Sequence, residues 1–463
     1  MGKQPFIPAE RRGLRFLLDV RKDPLRYFRE LATREGSFAW IGLRGQPVLL
    51  LNDATGIEYV LQENPANYWK GNVNKVLAPL LADGIFLSEG SQWKRQRQES
   101  VPGFTTPRLA ETTQIMISTI EEMLDGWERR SRAGETIDAV AEMTRLTLDI
   151  FLRSLFHVQA GEVARDLRYS LGVLLREAEG RIWAPLSLPQ RWVLALPKYR
   201  NAMRMMHETV ARLVAERRRD GAFPEDLLSR LIASYSDSAD DQRMLRQQIL
   251  SFMLSGHETT AHGMTWSLVN LARRPDLQDR LQKEADENLG SANVSFEQLR
   301  GLTISQNVFN EALRLYPPVW TFSREAYEDD EIPLEGGGSV TLPKRGIAML
   351  CTYAVQRQEK YWPEPDIFDP DRFLPARSEG RPRGAWFPFG GGPRLCLGQR
   401  FATVESSLAL SMITSRFEFS LVPGQSIFPE PIITLRPNGP VMLTVKRREP
   451  KVRSAALASF SAV

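Results

Sequence analysis

The sequence predicts a mainly α fold with a small β region. Apolar residues recur at helical spacing through most of the chain, whereas strand-like stretches are short and cluster in two places. Of the 463 residues, 42% are hydrophobic, so the chain can bury a large core. There is no Ser/Gly-rich linker and no internal repeat. We therefore expect a single domain over residues 1–463, with an N-terminal segment at 1–20 and a flexible tail at 451–463.

The periodic patterns place the elements in order along the chain. Predicted helices cover residues 23–36, 107–132, 137–156, 160–182, 201–220, 242–273, 277–289 and 305–316. Predicted strands cover residues 38–43, 47–51, 339–342, 346–352, 417–421 and 441–446. The apolar stretch at 182–199 contains three prolines, which prevent one continuous helix, so a loop with a short helix is expected there.

Composition excludes several classes of protein. The net charge is only +4, and no basic run is interleaved with aromatic residues, so a nucleic-acid partner is not predicted. The N-terminus lacks the ~20 apolar residues of a membrane helix and the apolar core of a signal peptide. We therefore expect a soluble, cytoplasmic, monomeric protein without stable membrane insertion. The two cysteines, Cys351 and Cys396, are too few for a disulfide framework.

Cys396 lies in a glycine-rich run, Phe389-Gly-Gly-Gly-Pro-Arg-Leu-Cys396-Leu-Gly398. Glycines permit close backbone approaches that Cβ-bearing residues resist, so a thiol held here can face a large flat partner. The run lacks the Gly-Lys-Ser/Thr of a phosphate loop, and a closed zinc site would need scattered histidines. A cysteine nucleophile stays open, although no histidine lies near it in sequence. An inert thiol is the default for a cysteine, but these neighbours favour a metal ligand.

The spaced residues of this run carry a resemblance to a known family. The pattern Phe-x-x-Gly-x-Arg-x-Cys-x-Gly resembles the haem-binding signature of the cytochrome P450 family. The resemblance implies haem b as the cofactor, Cys396 as the thiolate ligand of its iron, and a triangular, mainly helical prism that holds the haem between a long central helix and the cysteine loop. The implied cofactor-binding residues of the loop are Phe389, Gly390, Arg394 and Gly398.

The run Ser255-Gly-His-Glu-Thr-Thr lies in the middle of the predicted helix at 242–273. Hydroxyls, an acid and a glycine in such a helix violate local propensity, which is expected at functional sites. The run resembles the oxygen-activation motif of the family. Glu258 and Thr259 are the implied catalytic acid–alcohol pair for proton delivery, and Ser255 replaces the usual alanine or glycine.

The same run invites a rival interpretation as a zinc-peptidase motif. That motif needs two histidines four residues apart, on one helical face. His257 and His262 are five residues apart, which places them about 140° apart around a helix. We therefore expect an ordinary helix residue and a packed or hydrogen-bonded one rather than two zinc ligands.

Two further segments resemble the structural triad of the family. Glu311-Ala-Leu-Arg314 resembles its Glu-x-x-Arg helix, where an i, i+3 pair shares one face. The segment Pro-Asp-Arg372-Phe resembles the part of the family that supplies the third member. Alone, an acid–arginine pair is a common surface feature, but the Pro-Pro and β-type segment that follow favour a buried clamp.

Trp93-x-x-x-Arg97 resembles the pair that reaches a haem propionate in this family. Such a pair is also common as a surface stack. Together with Arg394, two guanidinium groups would neutralise propionate charges that burial otherwise penalises. Arg324 is a further candidate for this role, with plain surface charge as the alternative.

Matching positions of the family imply a substrate pocket on the side of the haem away from Cys396. Most of its residues are apolar, so we expect an apolar substrate held by shape, with core filling as an equal alternative for each residue. The loop at 182–199 is implied to cap the channel, with packing onto the protein body as the alternative. The implied pocket residues are Phe86, Ser255, Val319, Trp320, Thr321 and Phe322.

No flavin or nicotinamide motif follows the cysteine segment, so a separate ferredoxin and ferredoxin reductase are expected as the electron donor. The face implied to dock an acidic ferredoxin carries several cations, whose alternative roles are propionate pairing and ordinary solvated charge. These cations are Lys94, Arg95, Arg97, Arg394 and Arg400.

Together, the motifs predict a monooxygenase that inserts one oxygen atom from O₂ into an apolar small molecule, such as a terpenoid, fatty acid or polyketide-like compound. Oxidative coupling and desaturation on the same fold stay open, whereas the acid–alcohol pair argues against peroxide-driven oxidation. A haem sensor without turnover would need no proton relay. The substrate itself is not predicted, because pocket residues vary freely within a fold.

Overall fold

A computed structural model describes residues 7–43, 46–71, 78–81, 84–159, 161–182, 196–221, 224–289 and 295–448. The predicted tail at 451–463 lies outside these residues, as does most of the predicted loop at 182–199. The described chain is mainly helical with a small β region, as the sequence predicts.

The helices that we number span most of the described chain. They are α1 Gly13–Lys22, α2 Pro24–Glu35, α3 Ala54–Glu58, α4 Ala78–Leu81, α5 Gly90–Ser100, α6 Thr106–Arg132, α7 Ala139–Phe156, α8 Gly161–Ile182, α9 Pro197–Asp220, α10 Leu227–Ser234, α11 Ala239–Ser255, α12 Glu258–Ala272, α13 Pro275–Asn288, α14 Thr303–Leu315, α15 Thr352–Val355, α16 Pro375–Ser378 and α17 Gln399–Arg416.

The strands form small sheets. They are β1 Phe38–Leu43, β2 Gln46–Leu51, β3 Tyr68–Trp69, β4 Ile137–Asp138, β5 Phe322–Ala326, β6 Asp330–Pro333, β7 Ser339–Leu342, β8 Ile347–Leu350, β9 Phe417–Leu421, β10 Pro429–Pro431, β11 Leu435–Pro437 and β12 Met442–Arg447. One sheet has the order β1-β2-β8-β5-β3, with β2 and β8 parallel and the other pairs antiparallel. A second has the order β4-β12-β9, and β6–β7 and β10–β11 are separate antiparallel pairs.

Most of the predicted elements are present with shifted ends, but two predictions are corrected. The predicted helix at 137–156 begins at Ala139, because Ile137 and Asp138 pair with β12 instead. Asp138 then caps α7 by accepting a hydrogen bond from the Val140 N–H at 3.1 Å.

The prediction of one continuous helix over 242–273 is wrong, because α11 ends at Ser255 and α12 begins at Glu258. Around the break, side chains make hydrogen bonds with backbone carbonyl groups. The Ser255 hydroxyl donates to the Ser251 carbonyl at 2.6 Å, and the His257 Nδ1 lies 2.8 Å from a carbonyl one turn earlier. Hydroxyls that bond to preceding carbonyls bend helices and compete with the regular ladder.

Helix α12 runs through the interior, and all of its residues from Thr260 to Leu271 are buried. It packs against α7, α14 and α17, and its flank contacts β11. The break before α12 therefore lies at the N-terminal end of this buried stretch, with His257 buried and Ser255 exposed. No helix in the described ranges combines the length and apolar character needed to cross a bilayer.

Candidate active site

The cysteine loop is shaped by two glycines with positive φ. Gly390 has φ of +73° and Gly392 has φ of +61°, a region that side chains disfavour. A Cβ on Gly392 would lie 1.9 Å from the Leu61 carbonyl oxygen, so the loop packs against this backbone only because glycine stands there. The Cys396 N–H donates to the Phe389 carbonyl at 3.0 Å, which closes the loop on itself.

The Cys396 side chain is exposed, yet protein surrounds it closely enough for desolvation to raise the pKa of the thiol. The backbone N–H groups of Gly398 and Gln399 and the Arg97 charge act in the opposite direction and favour the thiolate. Cys351, by contrast, is fully buried, and burial raises the pKa of its thiol to about 12. Of the two thiols, Cys396 is therefore the accessible one and Cys351 the inert one.

Four cationic side chains converge near Cys396, and we name them the basic cluster: Lys70, Arg97, Arg324 and Arg394. Burial lowers the pKa of each, to about 7 for Lys70 and to about 10 for Arg324, and the neighbouring cations lower it further in Lys70, Arg324 and Arg394. The Arg97 and Lys70 charges both act on the Cys396 thiol. Buried cations of this kind need anionic partners.

Arg394 lies at the centre of contacts with α5 and the residues before it. Its guanidinium carbon is 4.0 Å from the centroid of the Trp93 ring, and it forms an ion pair with Glu89. It also donates to the Ser88 carbonyl at 2.9 Å. Arg97 lies 5.8 Å from the same Trp93 ring and donates across to the cysteine loop. The structure thus brings the predicted trio of Trp93, Arg97 and Arg394 together.

Glu258 and Thr259 begin α12 directly after the break. The Thr259 hydroxyl donates to the Ser255 carbonyl at 3.2 Å, across the break. Burial raises the pKa of Glu258 from 4.5 to about 7, while the Arg436 charge and the Thr434 hydroxyl oppose the shift. Glu258 can therefore exchange a proton near neutral pH, which is what a proton-delivering acid requires.

His257 and His262 are both buried and stay neutral near pH 7. Burial lowers the pKa of His257 to about 4 and that of His262 to about 3. Within the described ranges, no group of three or more His, Cys, Asp or Glu side chains is placed to hold a metal ion. His257 is thus a buried, hydrogen-bonded residue of the helix break, and His262 is a buried residue within α12.

Glu311 and Arg314 form a fully buried ion pair on α14. Arg314 donates from Nε and Nη2 to the two carboxylate oxygens of Glu311, both at 2.7 Å. The Arg372 Nε lies 3.4 Å from the same carboxylate, and the Asp369 N–H donates to it at 2.9 Å. Both arginines also donate to backbone carbonyls of the segment 363–367. The three predicted triad residues therefore clamp this segment onto α14.

The predicted pocket residues lie in different surroundings. The Phe322 ring lies 6.0 Å from that of Phe387, at the start of the cysteine loop. Phe86 lies beside the basic cluster, with its ring centroid 4.3 Å from the Lys70 Nζ. Ser255 and Val319 are exposed, and the Thr321 hydroxyl oxygen is buried without a hydrogen-bond partner in the described structure.

The structure corrects the predicted assignment of Trp320 to the substrate pocket. It is 2% exposed, packs beside Phe28 and donates from Nε1 to the Ile432 carbonyl at 2.9 Å. The indole is thereby fixed inside the core beneath the large sheet. Trp320 is therefore a core residue and not one of the proposed pocket residues.

The cations predicted to dock a partner differ in solvent exposure and in the partners they contact. Lys94, Arg95 and Arg400 are exposed. Arg95 is ion-paired with Glu99 at 2.7 Å, and Arg400 donates to the Thr106 hydroxyl at 3.2 Å. Arg97 and Arg394 belong to the basic cluster instead.

Sequence reasoning missed Lys70, because no motif surrounds it. It follows β3, and its Nζ contacts the carbonyl of Phe86, a proposed pocket residue, while the charges of Arg324 and Arg394 act on it. Thr434, in the turn between β10 and β11, and Arg436, in β11, were also missed. Their effect on the pKa of Glu258 depends on a contact between segments far apart in sequence, which no local motif indicates.

The fold and the site together define a haem-thiolate protein. An accessible sulfur beside backbone N–H groups, together with a buried cationic cluster, fits haem b, whose iron takes a thiolate and whose two propionates need cations. The Cytochrome P450 family profile matches residues 4–445, and the chain belongs to this family.

Named relatives agree with this assignment. The chain is similar to cyclooctatin synthase of Streptomyces melanosporofaciens, with 31% identity over 90% of each chain. It is 31% identical to cyclooctat-9-en-7-ol 5-monooxygenase of the same organism, over 79% of this chain and 78% of the relative. It is also 30% identical to pentalenene oxygenase of Streptomyces avermitilis, over 77% and 78%. The protein is a P450 monooxygenase, an oxidoreductase of a family that binds haem b.

Proposed function

We propose that this enzyme inserts one oxygen atom from O₂ into a terpenoid. Of the substrate classes that an apolar pocket allows, the relatives named for pentalenene and cyclooctat-9-en-7-ol favour this one. The observation that carries the proposal is that the chain holds both an accessible Cys396 in its glycine loop and a titratable Glu258 at the break before α12. We further propose that the whole chain works as one haem domain.

Haem b, when bound, supplies the iron centre that activates O₂ for transfer to a C–H bond or a double bond. Cys396 would hold the iron through its thiolate, supported by the loop residues Phe389, Gly390 and Gly398. The basic cluster and Trp93 would hold the propionates. Lys70 joins the predicted residues in this role because its charge lies beside those of Arg324 and Arg394.

Glu258 and Thr259 supply and steer the protons that oxygen activation consumes. With a pKa of about 7, Glu258 is part protonated at neutral pH and can release and regain a proton at its carboxylate. Thr259 lies next to it, and its hydroxyl already bonds to the Ser255 carbonyl. Phe86, Ser255, Val319, Thr321 and Phe322 are the proposed pocket residues.

Electrons would come from a separate ferredoxin that docks on the exposed cations Lys94, Arg95 and Arg400. This proposal rests on their exposure and on their position in α5 and α17, the helices that flank the cysteine loop.

A binding screen followed by labelled turnover tests the proposed function. A panel of terpene hydrocarbons and terpenoid alcohols, with fatty acids as the comparison set, is screened for substrate-induced shifts of the haem spectrum. Hits are then incubated with ferredoxin, ferredoxin reductase, NADPH and ¹⁸O₂. We expect a terpenoid product carrying one ¹⁸O atom. Binding and turnover confined to the fatty acids would contradict the terpenoid assignment, and unlabelled products would contradict oxygen insertion.

A further inference from the structure

Gln356 is a fully buried amide that joins two distant segments. Its Nε2 donates to the Leu313 carbonyl at 2.9 Å and to the Arg314 carbonyl at 3.0 Å. Its Oε1 accepts from the Phe387 N–H at 3.2 Å, and its own backbone carbonyl accepts from Arg314 Nη1 at 2.9 Å. The side chain is 0% exposed, so water cannot replace these partners.

The first segment is the C-terminal end of α14, the helix that carries the Glu311–Arg314 pair. The last carbonyls of a helix have no partner within the helix and must find one elsewhere. Gln356 supplies both donors with one amide group. Its position is therefore fixed by the same helix that the triad holds.

The second segment is the start of the cysteine loop. The Phe387 carbonyl accepts from the Gly390 N–H at 2.9 Å, and the Phe389 carbonyl accepts from the Cys396 N–H at 3.0 Å. A shift of the Phe387 backbone is thus passed through the Phe387–Gly390 turn, and then through the hydrogen bond that closes the loop from Phe389 to Cys396, to the residue that presents the sulfur. The Phe387 ring also lies 6.0 Å from Phe322, a proposed pocket residue.

We propose that Gln356 is a positioning residue for Cys396: its amide ties the cysteine loop to the end of the triad helix and so sets where the sulfur lies. This inference rests on the proposed role of Cys396 as the iron ligand. A merely structural role would give Gln356 an effect on stability but none on the sulfur.

The chain contains a matched control for this distinction. Gln278 is 5% exposed and bonds in nearly the same way. Its Nε2 donates to the carbonyls of Leu271 and Phe419, both at 2.9 Å, and its Oε1 accepts from the Phe419 N–H at 3.2 Å. It ties the end of α12 to β9, and none of these contacts involves the cysteine loop.

The test compares Q356M with Q278M in the haem-loaded enzyme. Methionine keeps the length of glutamine but makes none of the three hydrogen bonds of the side-chain amide. Both substitutions should therefore lower the unfolding temperature by similar amounts. Only Q356M should raise the hydrogen-exchange rate of peptides spanning 387–396, by about tenfold. Only Q356M should also lower the share of the reduced carbon monoxide complex with a thiolate-type Soret band, and shift the reduction potential.

Equal behaviour of Q356M and Q278M in exchange, Soret band and potential would overturn the proposal. If Q356M does not fold, Q356N against Q278N decides, because the shorter amide cannot reach both segments. Q356N with wild-type exchange and potential would also overturn it. A thiolate-type Soret band that survives in C396S would show separately that Cys396 is not the iron ligand. The hydrogen-exchange rates of peptides spanning 387–396 would still report whether Gln356 holds the cysteine loop in place.

Discussion

Replacing Glu311 with glutamine tests whether the buried clamp stabilises the protein. Glutamine is nearly isosteric, so the change removes a charge with little change in volume. It leaves two buried guanidinium groups without their carboxylate, since Arg314 bonds to both of its oxygens at 2.7 Å and Arg372 lies 3.4 Å away. Removing one partner of a buried ion pair costs about 3–5 kcal/mol. Because one carboxylate serves both arginines, we expect about 4 kcal/mol for E311Q.

The assay is urea unfolding of the haem-loaded enzyme, followed by far-ultraviolet circular dichroism and by Soret absorbance. E328Q is the matched control, because Glu328 pairs with Lys344 at 2.8 Å but both side chains are more than half exposed. Exposed pairs contribute about 1 kcal/mol or less. If E311Q unfolds within about 1 kcal/mol of E328Q, the clamp does not have the assigned role.

Three further predictions concern charge. Because burial raises the pKa of Glu258 from 4.5 to about 7, the folded state binds this proton more tightly than the unfolded chain, and wild-type stability should fall as pH rises between those values. Between these pH values, the free energy of unfolding of E258Q should rise by about 3 kcal/mol relative to that of wild type, and above pH 7 the difference should stay constant. Urea midpoints measured across the pH range check this, and a difference that does not change between pH 4.5 and 7 would contradict it. K70M should speed haem transfer to apomyoglobin about tenfold, whereas K344M, at an exposed lysine, should not; equal rates would remove Lys70 from the propionate site. K94Q and R400Q should slow reduction by ferredoxin and weaken its salt dependence, and an unchanged salt slope would exclude this docking face.

Regular periodicity made most of the long helices predictable, and its absence explains why α5 and α17 were missed. Helix α5 buries only Gln96 and Ser100, so no apolar stripe marks it. Helix α17 is buried around much of its circumference and carries Glu405 and several serines inside, so its pattern also lacks a single apolar face. Both helices flank the cysteine loop, where function rather than amphipathic packing determines the sequence.

The candidate site was predictable where its residues lie close in sequence. The cysteine loop, the acid–alcohol pair and the Glu311–Arg314 pair each occupy one short segment. Lys70 and Gln356 were not predictable, because each acts through contacts with segments far away in the chain, and nothing local distinguishes them from any other lysine or glutamine.

The break before α12 was missed for a different reason. Propensity and periodicity describe backbone hydrogen bonds, whereas here the Ser255 hydroxyl and the His257 ring bind carbonyls of the preceding turn. The unusual composition of the run did indicate a functional site, but not that the helix would end there.

The absorption spectrum of the reduced carbon monoxide complex tests the central claim most directly. Wild-type enzyme should show the Soret band of thiolate-ligated haem, and C396S should lose that band. C351S should keep it, because Cys351 is buried apart from the loop. A thiolate-type band that persists in C396S, or one that is lost in a folded C351S, would contradict the assignment of Cys396 as the iron ligand.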